Sequence, residues 1–160
     1  MKKSELAVWL KLIMVCCGIF GGLFCIYIAP ETAKAILLDA DQSLAHLYTP
    51  FLIFIWVTGI PFFISLRLGW QICSDIYAGD AFTLPNANRL KWISFHAMME
   101  GVLYIGALVY FFTAGGYAVN AVIAMLLILF FAITIAVFTS MLSHLVRNAS
   151  ELKQVNDLTI

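Results

Sequence analysis

Four side chains that can bind a proton, a metal or a charged ligand stand in apolar surroundings in this sequence: Arg67, Gln71, His96 and Glu100. A charge left alone in hydrocarbon is costly, so such residues pair and face a protein interior. Arg67 and Glu100 are therefore expected to meet as a buried ion pair. That pair either forms a proton- or ligand-responsive site or only fixes one helix against another. His96 and Glu100 fall one turn apart on one helix face, a spacing that can hold a metal or relay a proton. No second ligand pair accompanies them, and no metal is expected. His96 and His144 lie near the same ends of different helices. Two such histidines can clasp a b-type haem in a four-helix bundle; the plainer alternative is interfacial histidines bonded to their neighbours. No cofactor is expected.

The elements that carry these residues follow from composition. Of 160 residues 63% are hydrophobic and 11% charged, with a mean hydropathy of +0.98 and zero formal net charge. Soluble domains hold about 45–50% apolar and about 25% charged residues, so an integral membrane protein is expected. The neutral balance leaves no basic excess for direct nucleic-acid binding.

A span needs about 20 mostly apolar residues. Four stretches qualify, at about residues 6–29, 50–77, 88–112 and 117–144. Pro30 is expected to end the first helix, and Gly18 and Gly22 form a GxxxG spacing that would admit a close neighbour. Residues 30–46 read as a mixed interfacial segment. Thr49 and Pro50 mark the start of the second span, and Gly59 and Pro61 predict a kink within it. After the fourth span, Leu142, Leu145, Val146, Ala149 and Leu152 form one stripe of a helix that continues past the membrane. The expected fold class is all-α: four transmembrane helices in an up-down bundle with an amphipathic cytoplasmic C-terminal extension, in a single domain.

Residues 78–87 read as a polar hairpin between the second and third spans. Gly79 is placed to end one helix in a left-handed cap, and Thr83 and Pro85 to begin the next. With the turn centred between Thr83 and Leu84, Arg67 would stand level with Glu100, Gln71 with His96 and Asp75 with Trp92. Lys2, Lys3, Arg89, Lys91, Arg147 and Lys153 flank the hairpin side, and Lys34 alone flanks the other. By the positive-inside rule both termini are expected to be cytoplasmic.

No Gly-x-Ser-x-Gly, phosphate loop, HExxH or dinucleotide fingerprint occurs, and no enzyme is expected. Cys16, Cys17, Cys25 and Cys73 show no metal spacing and are expected to pack as free thiols.

Two stretches resemble a family signature. Tyr77-Ala-Gly-Asp-Ala-Phe82-Thr-Leu-Pro-Asn86-Ala-Asn-Arg89-Leu90 is similar to the Gly-x-x-Phe-Ser/Thr-x-x-Asn-x-x-Arg-Leu hairpin of a group of small four-span bacterial membrane proteins. That group is catalogued as a domain of unknown function. The ending Glu151-Leu-Lys-Gln-Val-Asn-Asp157-Leu158-Thr159-Ile160 resembles the same group's Leu-Lys-x-x-Asn-Asp-Leu-Thr-Ile tail. Pro85 stands where the group often has an acidic residue. The resemblance implies a neighbouring helix-turn-helix regulator of the Cro/CI type. Phe82, Asn86, Arg89, Asp157, Leu158, Thr159 and Ile160 would then dock it on the cytoplasmic face. Alternatively, Phe82 packs beneath the bundle, Asn86 and Arg89 cap helices, and the tail folds back on the hairpin.

Three functions remain open on these residues. The first is a non-enzymatic sensory or regulatory membrane protein that controls a cytoplasmic regulator. The second is a small-molecule or ion-handling protein, homo-oligomeric in one version, with a polar site at Arg67, Gln71, His96 and Glu100. The third is a haem- or quinone-binding redox subunit.

Overall fold

The computed structural model of the chain describes residues 3–39, 42–116 and 118–157. Expectations placed on Lys2, Leu158, Thr159 and Ile160, and on the side chain of Asp157, lie outside what it describes. The described chain is all-helical: α1 (Lys3–Leu23), α2 (Ala29–Lys34), α3 (Tyr48–Ala78), α4 (Leu84–Thr113) and α5 (Val119–Asp157). Four helical stretches are long and apolar enough to cross a membrane: Ala7–Leu38, Leu44–Ala78, Leu84–Thr113 and Val119–Val155.

The first span differs from expectation, because Pro30 does not end it. A widened, π-type turn over Phe24–Ile28 joins α1 to α2, and the Ala29 N–H donates to Phe24 O, five residues back. Proline in a regular helix collides with the carbonyl four residues earlier and removes a donor. A wide turn just before it loosens that crowding, and the helix continues. A second wide turn, Ala35–Asp39, follows α2. A 3₁₀ segment, Gln42–Leu47, then leads directly into α3.

Each span packs on its neighbour in sequence: α1 on α3, α3 on α4, and α4 most extensively on α5. Small residues make the close approaches. A Cβ on Gly21 would collide with the Phe62 ring, and one on Gly69 with the Met14 thioether. Gly59 faces Cys25 Sγ. Gly22 meets nothing, so the glycines that seat α1 on α3 are Gly18 and Gly21 rather than the GxxxG pair. Between α4 and α5 the glue is polar. Ser94 Oγ donates to Ala136 O at 2.8 Å and Ser143 Oγ to Ala87 O at 2.7 Å. Small residues and hydroxyl groups at helix contacts are what packing in lipid favours, where apolar bulk gives no driving force.

Large apolar side chains point outward instead. Phe20, Ile26, Trp56, Phe130 and Phe138 are all exposed, the pattern of helices whose solvent is hydrocarbon. The densest apolar cluster closes the end away from the hairpin, where Ala33, Leu37, Leu44, Leu47 and Phe111 are buried together. There α4 turns into α5 through Gly115, at φ 83°, and Gly116, over which the Phe111 ring lies too close for any Cβ.

Candidate functional site

The hairpin sets the depth of every polar residue on α3 and α4. Gly79 ends α3 with φ 92°, and its N–H reaches back to Ile76 O. Thr83 is extended and occupies the position before α4, but its hydroxyl makes no cap and is buried without a partner. The turn therefore runs from Gly79 to Thr83 and is centred on Ala81, midway between Ala78 and Leu84. That differs from a centre between Thr83 and Leu84 by enough to slide the facing residues by five, about 7.5 Å at about 1.5 Å per residue. Arg67 stands level with Phe95, and Glu100 with Phe62.

The Arg67–Glu100 pair consequently does not form. Arg67 is exposed on α3, and neither it nor Glu100 has an ion-pair partner among the described residues. Gln71 is half-buried. His96 turns to α3 by another route: its Nδ1 lies 3.2 Å from Ser65 Oγ. Lys11 of α1 lies over the rings of Trp70 and Tyr77, at 5.3 and 5.7 Å from their centroids. The histidines are also separated. The serine bonds between α4 and α5 put His144 level with Asn86 and His96 level with Thr134. Ten residues of helix, about 15 Å, part them along the bundle, too far for both rings to bind one iron.

Glu100 instead faces a small polar group that sequence spacing did not bring together. Its Oε1 is fully buried and accepts no hydrogen bond. It lies close enough to Cys25 and Tyr104 to act on both electrostatically. Thr58 of α3 lies beside Tyr104, and its hydroxyl donates to Ile55 O at 3.2 Å. Cys25 is delivered by the widened turn of the first span, and Thr58 by the turn of α3 that precedes Pro61. Tyr104 follows Glu100 by one turn of α4 and shares its face; that i, i+4 spacing was the available signal.

Beyond Tyr104, toward the end away from the hairpin, lies a cavity of about 550 Å³. All four spans line it: Phe24, Ala33 and Leu37 from the first, Phe51 and Phe54 from α3, Tyr104 and Ala107 from α4, and Ala121 and Met125 from α5. Its wall is mainly aliphatic and aromatic, and Thr32, Asn120, Tyr104 and Tyr110 are the lining residues with polar side chains. Thr32, Pro50, Val102, Tyr110 and Asn120 belong to the wall and are also exposed, so the cavity lies close to the surface of the bundle. Its size falls within the roughly 300–1,000 Å³ of small-molecule sites.

At the opposite end, the expected docking residues divide. Asn86 is buried, and its amide donates to Asp80 O at 3.1 Å and Ala81 O at 3.2 Å. Arg89 donates to Asp75 at 2.5 Å and to Asn86 Oδ1 at 2.6 Å. These two side chains hold the hairpin shut. Phe82 is exposed at its tip. The helix α5 runs unbroken past the hairpin to Asp157. On its last turns Ser150 is buried, Val146 and Ala149 are half-buried, and Leu145 and Leu152 are exposed.

The model of the family described as "Protein of unknown function (DUF2975)" matches residues 35–160, a stretch that includes the hairpin and the tail. The chain is also 28% identical over 155 residues to the uncharacterized membrane protein YoaS of Bacillus subtilis (strain 168), covering 96% of each. No solved structure gives a significant match.

Proposed function

This chain belongs to the DUF2975 family, and from that premise we propose that it is a non-enzymatic sensor. It sits in a bacterial inner membrane with both termini cytoplasmic. An apolar molecule entering from the bilayer fills its cavity, and the occupied bundle controls a helix-turn-helix regulator at the hairpin end. The observation that carries this reading is the cavity of about 550 Å³ walled by all four spans. A ligand there touches every helix at once. The helices α3 and α4 lead from its wall to the hairpin, and α5 leads from Asn120 to Asp157.

The orientation rests on charge. Lys3, Arg89, Lys91, Arg147 and Lys153 belong to the hairpin side and Lys34 to the other. The regulator's docking surface is then Phe82 with the exposed leucines of α5. Asn86 and Arg89 support it from behind, since their polar atoms are already engaged.

A second reading is favoured by one specific observation, the partnerless Oε1 of Glu100. A carboxylate with one buried, unpartnered oxygen suits a small-molecule or ion-handling site, here built with Tyr104, Thr58 and Cys25 rather than with Arg67.

Photolabelling tests the cavity on which the first reading rests. A diazirine-bearing long-chain alcohol, added to proteoliposomes, should label Phe54, Ala107 and Met125 saturably, and Ala107→Trp should abolish that labelling. Labelling that never saturates, and that falls equally on Phe130 and Phe138, would sink the ligand cavity.

A further inference from the structure

The cavity ends against a group of rings with a carboxylate behind them. Tyr104 forms part of the wall, and the Phe54 ring meets it edge-on, with centroids 5.0 Å apart. Phe24 lines the same region from the first span. One turn nearer the hairpin on the same face of α4, Glu100 buries an oxygen that no donor reaches. A carboxylate in that position is expensive unless a cation or a set of donors compensates it.

Among the described residues no basic side chain pairs with Glu100. Arg67 lies level with Phe95 and is exposed, and Lys11 is held over Trp70 and Tyr77. The other basic side chains described lie toward the ends of the spans. Among the described residues no counter-charge stands beside Glu100, while the cavity that begins one turn further along α4, at Tyr104, is walled mainly by apolar side chains.

We infer that the cavity is a site for a lipophilic ammonium ion, its alkyl part in the apolar chamber and its cationic head between Tyr104 and Glu100. This rests on the cavity being a ligand site, as proposed above. Aromatic faces attract an ammonium head even when it has no N–H to donate, and a carboxylate behind them adds the full charge that a neutral aromatic cage lacks. An anionic amphiphile is repelled by the same group. A neutral one gains the apolar burial but nothing from Glu100.

Competition against the diazirine alcohol in proteoliposomes tests this. Dodecyltrimethylammonium and dodecanol share a chain and differ in the head. In the unaltered protein the ammonium compound should displace the probe at a concentration roughly tenfold lower than dodecanol does. Glu100→Gln should erase that preference and leave displacement by dodecanol unchanged, which also shows that the variant is folded. Tyr104→Leu should reduce the preference without reversing it. Equal potency of the two compounds in the unaltered protein, or a preference that survives Glu100→Gln, would overturn the ammonium site while leaving an apolar ligand cavity standing. Absence of saturable labelling by the probe itself would overturn both.

Discussion

Asp75, in the last turn of α3, is paired with Arg89, in the second turn of α4, and Arg89 also donates to Asn86. Asn86 in turn ties down Asp80 O and Ala81 O. The hairpin is thus closed by one chain of charge-assisted and neutral bonds, and its shape sets how α3 and α4 face each other.

Asn86→Ala should destabilise the protein by about 1–3 kcal/mol, the cost of leaving buried partners unsatisfied. Arg89→Lys should recover only part of what Arg89→Ala loses, because both bonds come from one guanidinium nitrogen, Nη1, and the flexible, strongly hydrated lysine ammonium is held there less firmly. Thermal unfolding in detergent, read by circular dichroism, checks both. An Asn86→Ala variant as stable as its parent would contradict the account of the hairpin.

The bonds from Ser94 and Ser143 lie at separate depths of the α4–α5 contact, with different partners. Each serine-to-alanine change should cost about 0.6 kcal/mol, the average for such bonds in membrane bundles, and the double variant should lose the sum. Unfolding by increasing fractions of denaturing detergent measures this.

The contact of α1 with α3 predicts two unlike outcomes for two glycines. Gly21→Val pushes a branched side chain into the Phe62 ring and should cost about 1–3 kcal/mol, as overpacking does. Gly69→Ala meets only the flexible end of Met14, which can move, and should be nearly neutral. Equal losses at both sites would show that the glycines do not set this contact.

The register of α3 on α4 can be read by cross-linking in a cysteine-free background. A short bis-thiosulfonate reagent should join Ser65→Cys to His96→Cys readily, since the parent side chains lie 3.2 Å apart. It should join Arg67→Cys to Glu100→Cys poorly. The opposite result would restore the level pairing of Arg67 with Glu100.

Much of the architecture was legible before any coordinates, because membrane helices announce themselves by length and composition. Four spans, the left-handed Gly79, Thr83 ahead of α4 and the long run of α5 past the hairpin are as expected. What escaped depends on small offsets and on space. Pro30 looked like a stop, yet a single widened turn lets the helix pass it. Centring the turn beside Thr83 sets Arg67 level with Glu100, whereas the observed centre at Ala81 holds them out of each other's reach. Tyr104 and Thr58 are unremarkable in sequence, and only the depth of Glu100 gives them meaning. The cavity has no sequence signal, because it is lined by residues that read simply as apolar.

The central claim is that occupation of the cavity is felt at the hairpin end, and amide hydrogen exchange on the protein in nanodiscs tests it most directly. Saturating dodecanol should change exchange in residues 79–92 and 146–157, and Ala107→Trp, which fills the cavity, should remove the response to dodecanol. Saturable binding that leaves both stretches unchanged would contradict a sensor and leave only a passive binding pocket.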